Sequence, residues 1–246
     1  MLDNLNFAEL LITITAVLIT LTLHEYAHGY AAYKLGDNTA YMHGRLSLNP
    51  LKHLDPFGVL CMIFFRFGWA KPVPINPRNF KNPKRGFAIT ALAGPLTNIV
   101  IAFISALLFL LMNKAYMVVQ TDFLRRLCMY TVLFIYVFHS VNIGLGVFNL
   151  IPIPPFDGSR ILNVVLPQKL YFKVMKYERQ IYWGLIAWLF LGEYVYAALM
   201  KISIISANPF LSSVLRIFAL SDLISQATGG LSDLMIKFWL LFPFLR

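Results

Sequence analysis

Three ionisable residues crowd into five positions at His24-Glu25-Tyr26-Ala27-His28, near the end of an otherwise apolar run from Phe7 to Tyr33. Residues four apart share one face of a helix, so both imidazoles can reach one divalent ion. The glutamate beside His24 can then act on water at that ion, which is the chemistry of a hydrolytic zinc centre. Ionisable side chains in a stretch destined for lipid are costly unless paired, bound to metal or turned toward a polar cavity. The bland alternative, polar residues closing a helix near the interface six positions before Lys34, leaves the spacing unexplained.

A mononuclear hydrolytic zinc site has three protein ligands and keeps its fourth position for water. Asp157 is the candidate third ligand. It stands in Asn149-Leu-Ile-Pro-Ile-Pro-Pro-Phe-Asp157-Gly158, where three prolines and a glycine break regular helix and can present a carboxylate from irregular backbone. Local sequence equally allows an Asp-Gly turn that caps the following helix.

The elements that must position these residues are membrane spans. The chain has 246 residues, of which 59% are hydrophobic and 13% charged, with a mean hydropathy of +0.67. That composition excludes an ordinary cytosolic globule, a disordered chain and a disulfide scaffold. Cys61 and Cys128 have no metal-ligand spacing and read as small buried hydrophobes. Phe7 to Tyr33 is long enough to span, and three more spans follow at 86–112, 127–150 and 181–200. The apolar stretch from Pro56 to Ala70 is short for a crossing and reads as re-entrant or interfacial. Lys71-Pro-Val-Pro-Ile-Asn-Pro77 cannot be helical, because its prolines remove donors and force extended backbone. Extended backbone at membrane depth is tolerated only against protein or a watery cavity, so this loop is a candidate cavity lining. Residues 208–246 read as an interfacial helix pair. The fold class expected is an all-α polytopic membrane protein: about four long spans, a re-entrant or extended segment and an interfacial C-terminal region, as one domain over 1–246.

Of 21 Lys and Arg, 14 fall in the segments 34–85 and 151–179 and 7 on the opposite side. The positive-inside rule therefore puts the N-terminus outside and both basic loops in the cytoplasm. The net charge of +10 is thus largely a topology signal, and nucleic acid is not an expected partner. The same count brings the His24–His28 end and the Asp157 loop to one side, where they could meet.

At this point the chain resembles the site-2 protease family of intramembrane metalloproteases. The resemblance rests on the HExxH at His24 to His28, on Gly94-Pro95-Leu96-Thr97-Asn98 and on Phe148-Asn149-Leu-Ile-Pro-Ile-Pro-Pro-Phe-Asp157-Gly158. Leu48-Asn49-Pro50-Leu-Lys-His53-Leu-Asp55-Pro56 and Gly68-Trp69-Ala70-Lys71-Pro72-Val73-Pro74-Ile75-Asn76-Pro77 are similar to the compact prokaryotic branch. It covers a three-helix core at about residues 8–165, beyond which 181–200 is an accessory helix. The resemblance implies His24, His28 and Asp157 as ligands of one Zn2+ per chain and Glu25 as catalytic base. Asn149 and Asn98 are implied near the active site, in contact with substrate or transition state. The substrate implied is a transmembrane protein cut in or beside its lipid-embedded segment, in a prokaryotic cell membrane. The family's PDZ and nucleotide-sensing modules are not expected in this chain.

His139, alone in an apolar span, reads as a polar contact within the bundle, and Trp69 and the tyrosines read as interface anchors. Two rival functions also have to be weighed against the sequence. A metal transporter needs carboxylates spread along several helices, whereas the four spans hold Glu9, Glu25 and Glu193 only. A non-catalytic scaffold that binds membrane segments is disfavoured by the presence of ligands and base together.

Overall fold

The structure, a computed structural model, describes residues 7–58, 70–201 and 220–245. Eight helices are described: α1 (Phe7–Lys34), α2 (Thr39–Met42), α3 (Pro83–Val118), α4 (Asp122–Asn149), α5 (Asp157–Val165), α6 (Gln168–Lys176), α7 (Glu178–Met200) and α8 (Leu220–Trp239). Single 3-10 turns lie at Pro50–Lys52, Pro77–Asn79 and Pro243–Leu245. No named strand occurs among the described residues, only an isolated antiparallel bridge between Leu54 and Ala70.

Among the described residues α1, α3 and α4 are long and apolar enough to cross a membrane. The sequence led us to expect about four spans. The fourth, 181–200, is helical within the 23 residues of α7. The chain is an all-α integral membrane protein.

The sequence of α3 shows how the core is made. Leu92, Leu96, Val100, Ile104, Leu108 and Leu111 recur at helical spacing and are exposed, whereas Ala88, Ala91, Pro95, Asn98, Ala102 and Ala106 are buried. Large apolar residues therefore face outward, and small and polar ones face the neighbouring helices. Lipid tails are as apolar as leucine, so close approach of small residues and interhelical hydrogen bonds hold such a bundle rather than apolar burial. α1 follows the same rule with Ala16, Thr20, His24, His28, Gly29 and Ala32 buried. The most extensive contact is between α3 and α4, and α1 packs on both.

Helix ends carry local signals. α1 stops at Gly36, whose φ of 104° suits only glycine readily. The Asp37 N–H then donates back to the Ala32 carbonyl at 2.9 Å, a Schellman-type closure. α3 starts with Pro83 at its first position and the Asn82 side chain accepting from the Arg85 N–H at 3.1 Å.

Within the C-terminal region expected to be interfacial, α8 lays one face on α3 and α4. Met235 joins Ala102, Ala106 and Ile143 in a buried cluster, and the Trp239 Nε1–H donates to the Phe103 carbonyl at 2.9 Å. The remainder of that region, 208–219, lies outside the described residues, as does most of the expected re-entrant stretch, with Cys61 and Trp69. The segment 71–76 has no regular structure and Asn76 is extended, as its prolines require.

Candidate active site

The site forms where the last turns of α1 meet the middle of α3 and the start of α5. His24 and His28, one turn apart on α1, bring their Nε2 atoms to 3.0 Å from each other. Asp157, 129 residues further along the chain from His28, places Oδ2 3.2 Å from His24 Nε2 and 3.1 Å from His28 Nε2. Among the described residues this is the only group of three such side chains disposed to hold a metal ion. Both histidines are buried and Asp157 is partly so.

The outer nitrogens of both rings are occupied. The His28 Nδ1–H donates to the Thr90 carbonyl at 2.7 Å, and the His24 Nδ1–H donates to Asn98 Oδ1 at 3.2 Å. Both partners accept only, so both neutral rings turn a lone pair toward Asp157 through Nε2. Two imidazole lone pairs and a carboxylate oxygen at about 3 Å repel one another unless a cation lies between them. A tetrahedral zinc with ligands at about 2.1 Å would set such atoms about 3.4 Å apart. The donor set and its spacing fit a divalent ion, and the bonds behind each ring are those that fix metal-binding histidines.

Space for the rings comes from Gly94. A Cβ built there would fall onto His28 Nε2 and lie 2.7 Å from His24 Cε1. Pro95, next in α3, removes the N–H that would bond the Ala91 carbonyl, loosening the ladder at the turn that presents Thr90 to His28. Gly158 does similar work for Asp157: a Cβ there would strike the Leu150 and Ile151 carbonyls, so α5 can begin tight against the end of α4.

Glu25, the base expected from sequence, follows His24 on α1. Its Oε2 accepts from the backbone N–H of Val73 at 2.9 Å, tying it to the extended loop. The loop is held throughout. Lys71 N–H donates to the His53 carbonyl at 2.8 Å, Arg45 Nη2 donates to the Lys71 and Pro72 carbonyls, and Asn76 N–H donates to Asp37 Oδ2 at 2.7 Å. Of the loop's peptide donors, only Ile75 N–H has no partner among the described residues. His53, the loop histidine without a role from sequence, is buried and donates through Nε2 to the Ser47 carbonyl at 2.7 Å. It braces this loop.

Of the residues singled out from sequence, His24, His28 and Asp157 come together and Asn98 stands directly behind His24, fully buried. Asn149 does not join them by any hydrogen bond; its Nδ2 donates to the Leu145 carbonyl of its own helix at 3.0 Å. His139 is a bundle contact, donating through Nδ1 to the Ala102 carbonyl and accepting through Nε2 from Ser232 Oγ, both at 2.8 Å. Sequence reasoning missed Thr90, which acts through its carbonyl, and Val73, which acts through its N–H. Backbone roles leave no signature in residue type. Gly94 lay in view, inside a motif rich in small residues, without an assigned purpose.

Comparison with known proteins agrees with this geometry. Residues 12–191 match peptidase family M50. "Putative zinc metalloprotease YwhC" of Bacillus subtilis is 39% identical over 187 residues, 74% of this chain and 82% of that protein. A relative with a name of the same form in Mycolicibacterium smegmatis is 29% identical over 62% of this chain and 56% of its own length. Another in Methanocaldococcus jannaschii is 27% identical over 65% and 73%. No solved structure matches the chain. The chain belongs to peptidase family M50, the site-2 protease family of zinc metallopeptidases embedded in membranes.

Proposed function

We propose that this metallopeptidase hydrolyses a peptide bond in or beside a transmembrane segment of a partner protein, with His24, His28 and Asp157 holding the zinc and Glu25 acting as base. One observation carries the reading: two imidazole lone pairs and one carboxylate oxygen converge within 3.0–3.2 Å, next to a glutamate held by a backbone N–H. Bound zinc supplies Lewis acidity, making water nucleophilic near neutral pH and drawing charge from a carbonyl oxygen.

The chain's own groups do the rest. The Val73 N–H fixes one oxygen of Glu25, and the other takes the proton from the attacking water as its oxygen bonds to the scissile carbonyl carbon. Glu25 then returns that proton to the amide nitrogen as the C–N bond breaks. Asn98 and the Thr90 carbonyl keep both imidazoles in the tautomer that offers Nε2. Asn149 spends one amide hydrogen on Leu145 and keeps a second for the developing oxyanion.

A substrate helix has no free carbonyl to offer until it unwinds locally. The extended loop can receive the unwound segment by edge pairing. Its internal bonds confine that pairing to the neighbourhood of Ile75. The charge distribution supports an outside N-terminus and a site opening to the cytoplasm.

The test is the zinc content of detergent-purified native chain, Asp157→Ala and His24→Ala, together with cleavage of a transmembrane peptide by native chain and Glu25→Gln. About one zinc per native chain is expected, with much less in both ligand variants. Glu25→Gln should lower cleavage by about 10²–10⁴-fold. Undiminished zinc in Asp157→Ala, or cleavage that survives Glu25→Gln, refutes the assignment and returns transport or scaffolding to the front.

A further inference from the structure

Asp37 has no part in the zinc cluster, yet it is a fully buried carboxylate just beyond the end of α1. Such a group is expensive unless its lone pairs are well occupied. Here they are. Oδ1 accepts from the Thr39 N–H at 3.1 Å, the Thr39 hydroxyl, and Asn79 Nδ2 at 2.7 Å; Oδ2 accepts from the Asn76 N–H at 2.7 Å. Two of these four donors belong to the segment that closes the extended loop, more than 35 residues along the chain.

The loop therefore runs as a strap along the end of α1. At its far end Asn76 and Asn79 are tied to Asp37. At its centre the Val73 side chain is buried against α1, with Cγ1 3.3 Å from the point where a Gly29 Cβ would stand. At the same residue the peptide N–H reaches Glu25 Oε2 at 2.9 Å. Pro72 and Pro74 flank Val73, so their fixed φ angles stiffen the strap and make Val73 the donor available at that height. A stiff segment transmits a displacement of one end to its middle.

We propose that Asp37 is a positioning residue for the reaction: by anchoring Asn76 and Asn79 it holds the strap so that the Val73 N–H orients the carboxylate of Glu25. The proposal rests on Glu25 being the base, and it adds to that reading a group remote from the zinc ligands that sets the base's geometry. None of the three ligands hydrogen-bonds to the strap among the described residues, so loss of the anchor should leave the metal in place while chemistry slows.

The experiment compares native chain, Asp37→Asn and Asn79→Ala, each zinc-loaded and in detergent. Two things are read: hydrogen exchange at the Val73 and Asn76 amides, and kcat with KM on a transmembrane peptide. The Asp37→Asn change keeps the size of the side chain but removes the charge that four donors satisfy. It should release both amides to faster exchange and lower kcat about tenfold or more, with KM within about twofold and zinc unchanged. Asn79→Ala, which removes one donor and keeps the carboxylate, should show the same pattern more weakly and serves if Asp37→Asn does not fold. Unchanged exchange at Val73 in a folded variant that has lost the Asp37 anchor overturns the proposal. So does a native kcat in zinc-loaded protein whose Val73 amide has been released. Native chain that cuts no peptide, with Val73 exchange still governed by Asp37, upholds the strap and refutes the proposed cleavage of transmembrane segments on which its catalytic role rests.

Discussion

Single atoms set the tolerances of this site. A methyl group at position 94 would sit on the His28 nitrogen that faces Asp157, and neither ring can retreat while Thr90 and Asn98 hold its other side. Gly94→Ala should therefore purify folded but with most of its zinc lost, as read by metal analysis; native zinc in this variant would show that the rings have room to move. Asp37 gives a prediction in pH. Burial alone would raise its pKa, but the hydrogen bonds from Thr39, Asn76 and Asn79 outweigh that and hold the carboxyl below the usual carboxylate range. Those partners are all uncharged, so the effect is one of hydrogen bonding. A lowered folded value means that Asp37 stabilises the fold fully above the unfolded value of about 4 and loses that contribution as pH falls through the folded value. With zinc chelated, the difference in thermal midpoint between native chain and Asp37→Asn should shrink as pH is lowered from 7 toward 3. A difference that stays constant or widens would contradict this account.

Among the helices, α8 has the most separable role. It touches the bundle through Met235, Trp239 and the Ser232 hydroxyl, which satisfies the buried Nε2 of His139. None of its described residues enters the His24, His28 and Asp157 cluster. Removing that hydroxyl leaves an acceptor buried without a partner, at a cost of about 1 kcal/mol. Ser232→Ala should lower the thermal midpoint in detergent by a few degrees with zinc content unaltered; a fall in zinc would mean that α8 supports the site and not only the bundle. At the other end of the molecule, the cap and glycine closure that end α1 and begin α3 have a functional consequence. They fix where Asp37 and Thr90 fall relative to the two histidines.

At the scale of the bundle, α1 and α3 turn large apolar side chains outward and bury small and polar ones, which inverts the pattern of a water-soluble globule and suits a bundle surrounded by lipid. Thr20, His24, Asn98 and Asn142 are buried between the helices, with the Asn142 Nδ2 donating to the Thr20 hydroxyl at 2.9 Å. The charge distribution predicts which way round this bundle sits. Single cysteines placed at 43 and 81 should be labelled by membrane-impermeant reagent only from the cytoplasmic side, and one placed at 120 only from outside. The reverse labelling would invert the orientation and move the site to the other face.

Much of this protein could be read without coordinates, because its strongest signals are local. HExxH spacing puts two rings on one helix face by geometry alone, long apolar runs must be helices in lipid, and prolines between Lys71 and Pro77 forbid one. Those three facts required only residue type and distance along the chain. The fourth, that Asp157 meets His24 and His28, was suggested by charge asymmetry, which can bring two segments to the same side but cannot bring two atoms to 3.1 Å. Its alternative, an Asp-Gly turn that caps the following helix, is not what the fold uses: Asp157 is the first residue of α5, Phe156 is the N-cap and no side chain caps it, and the packing of α5 on α3 turns the Asp157 carboxylate toward the histidines. The roles of Thr90, Val73 and Asp37 depended on folding altogether. Two of them act through backbone groups that every residue possesses, and the third through partners some forty positions away, so their meaning arises only when α1, α3 and the strap are packed together.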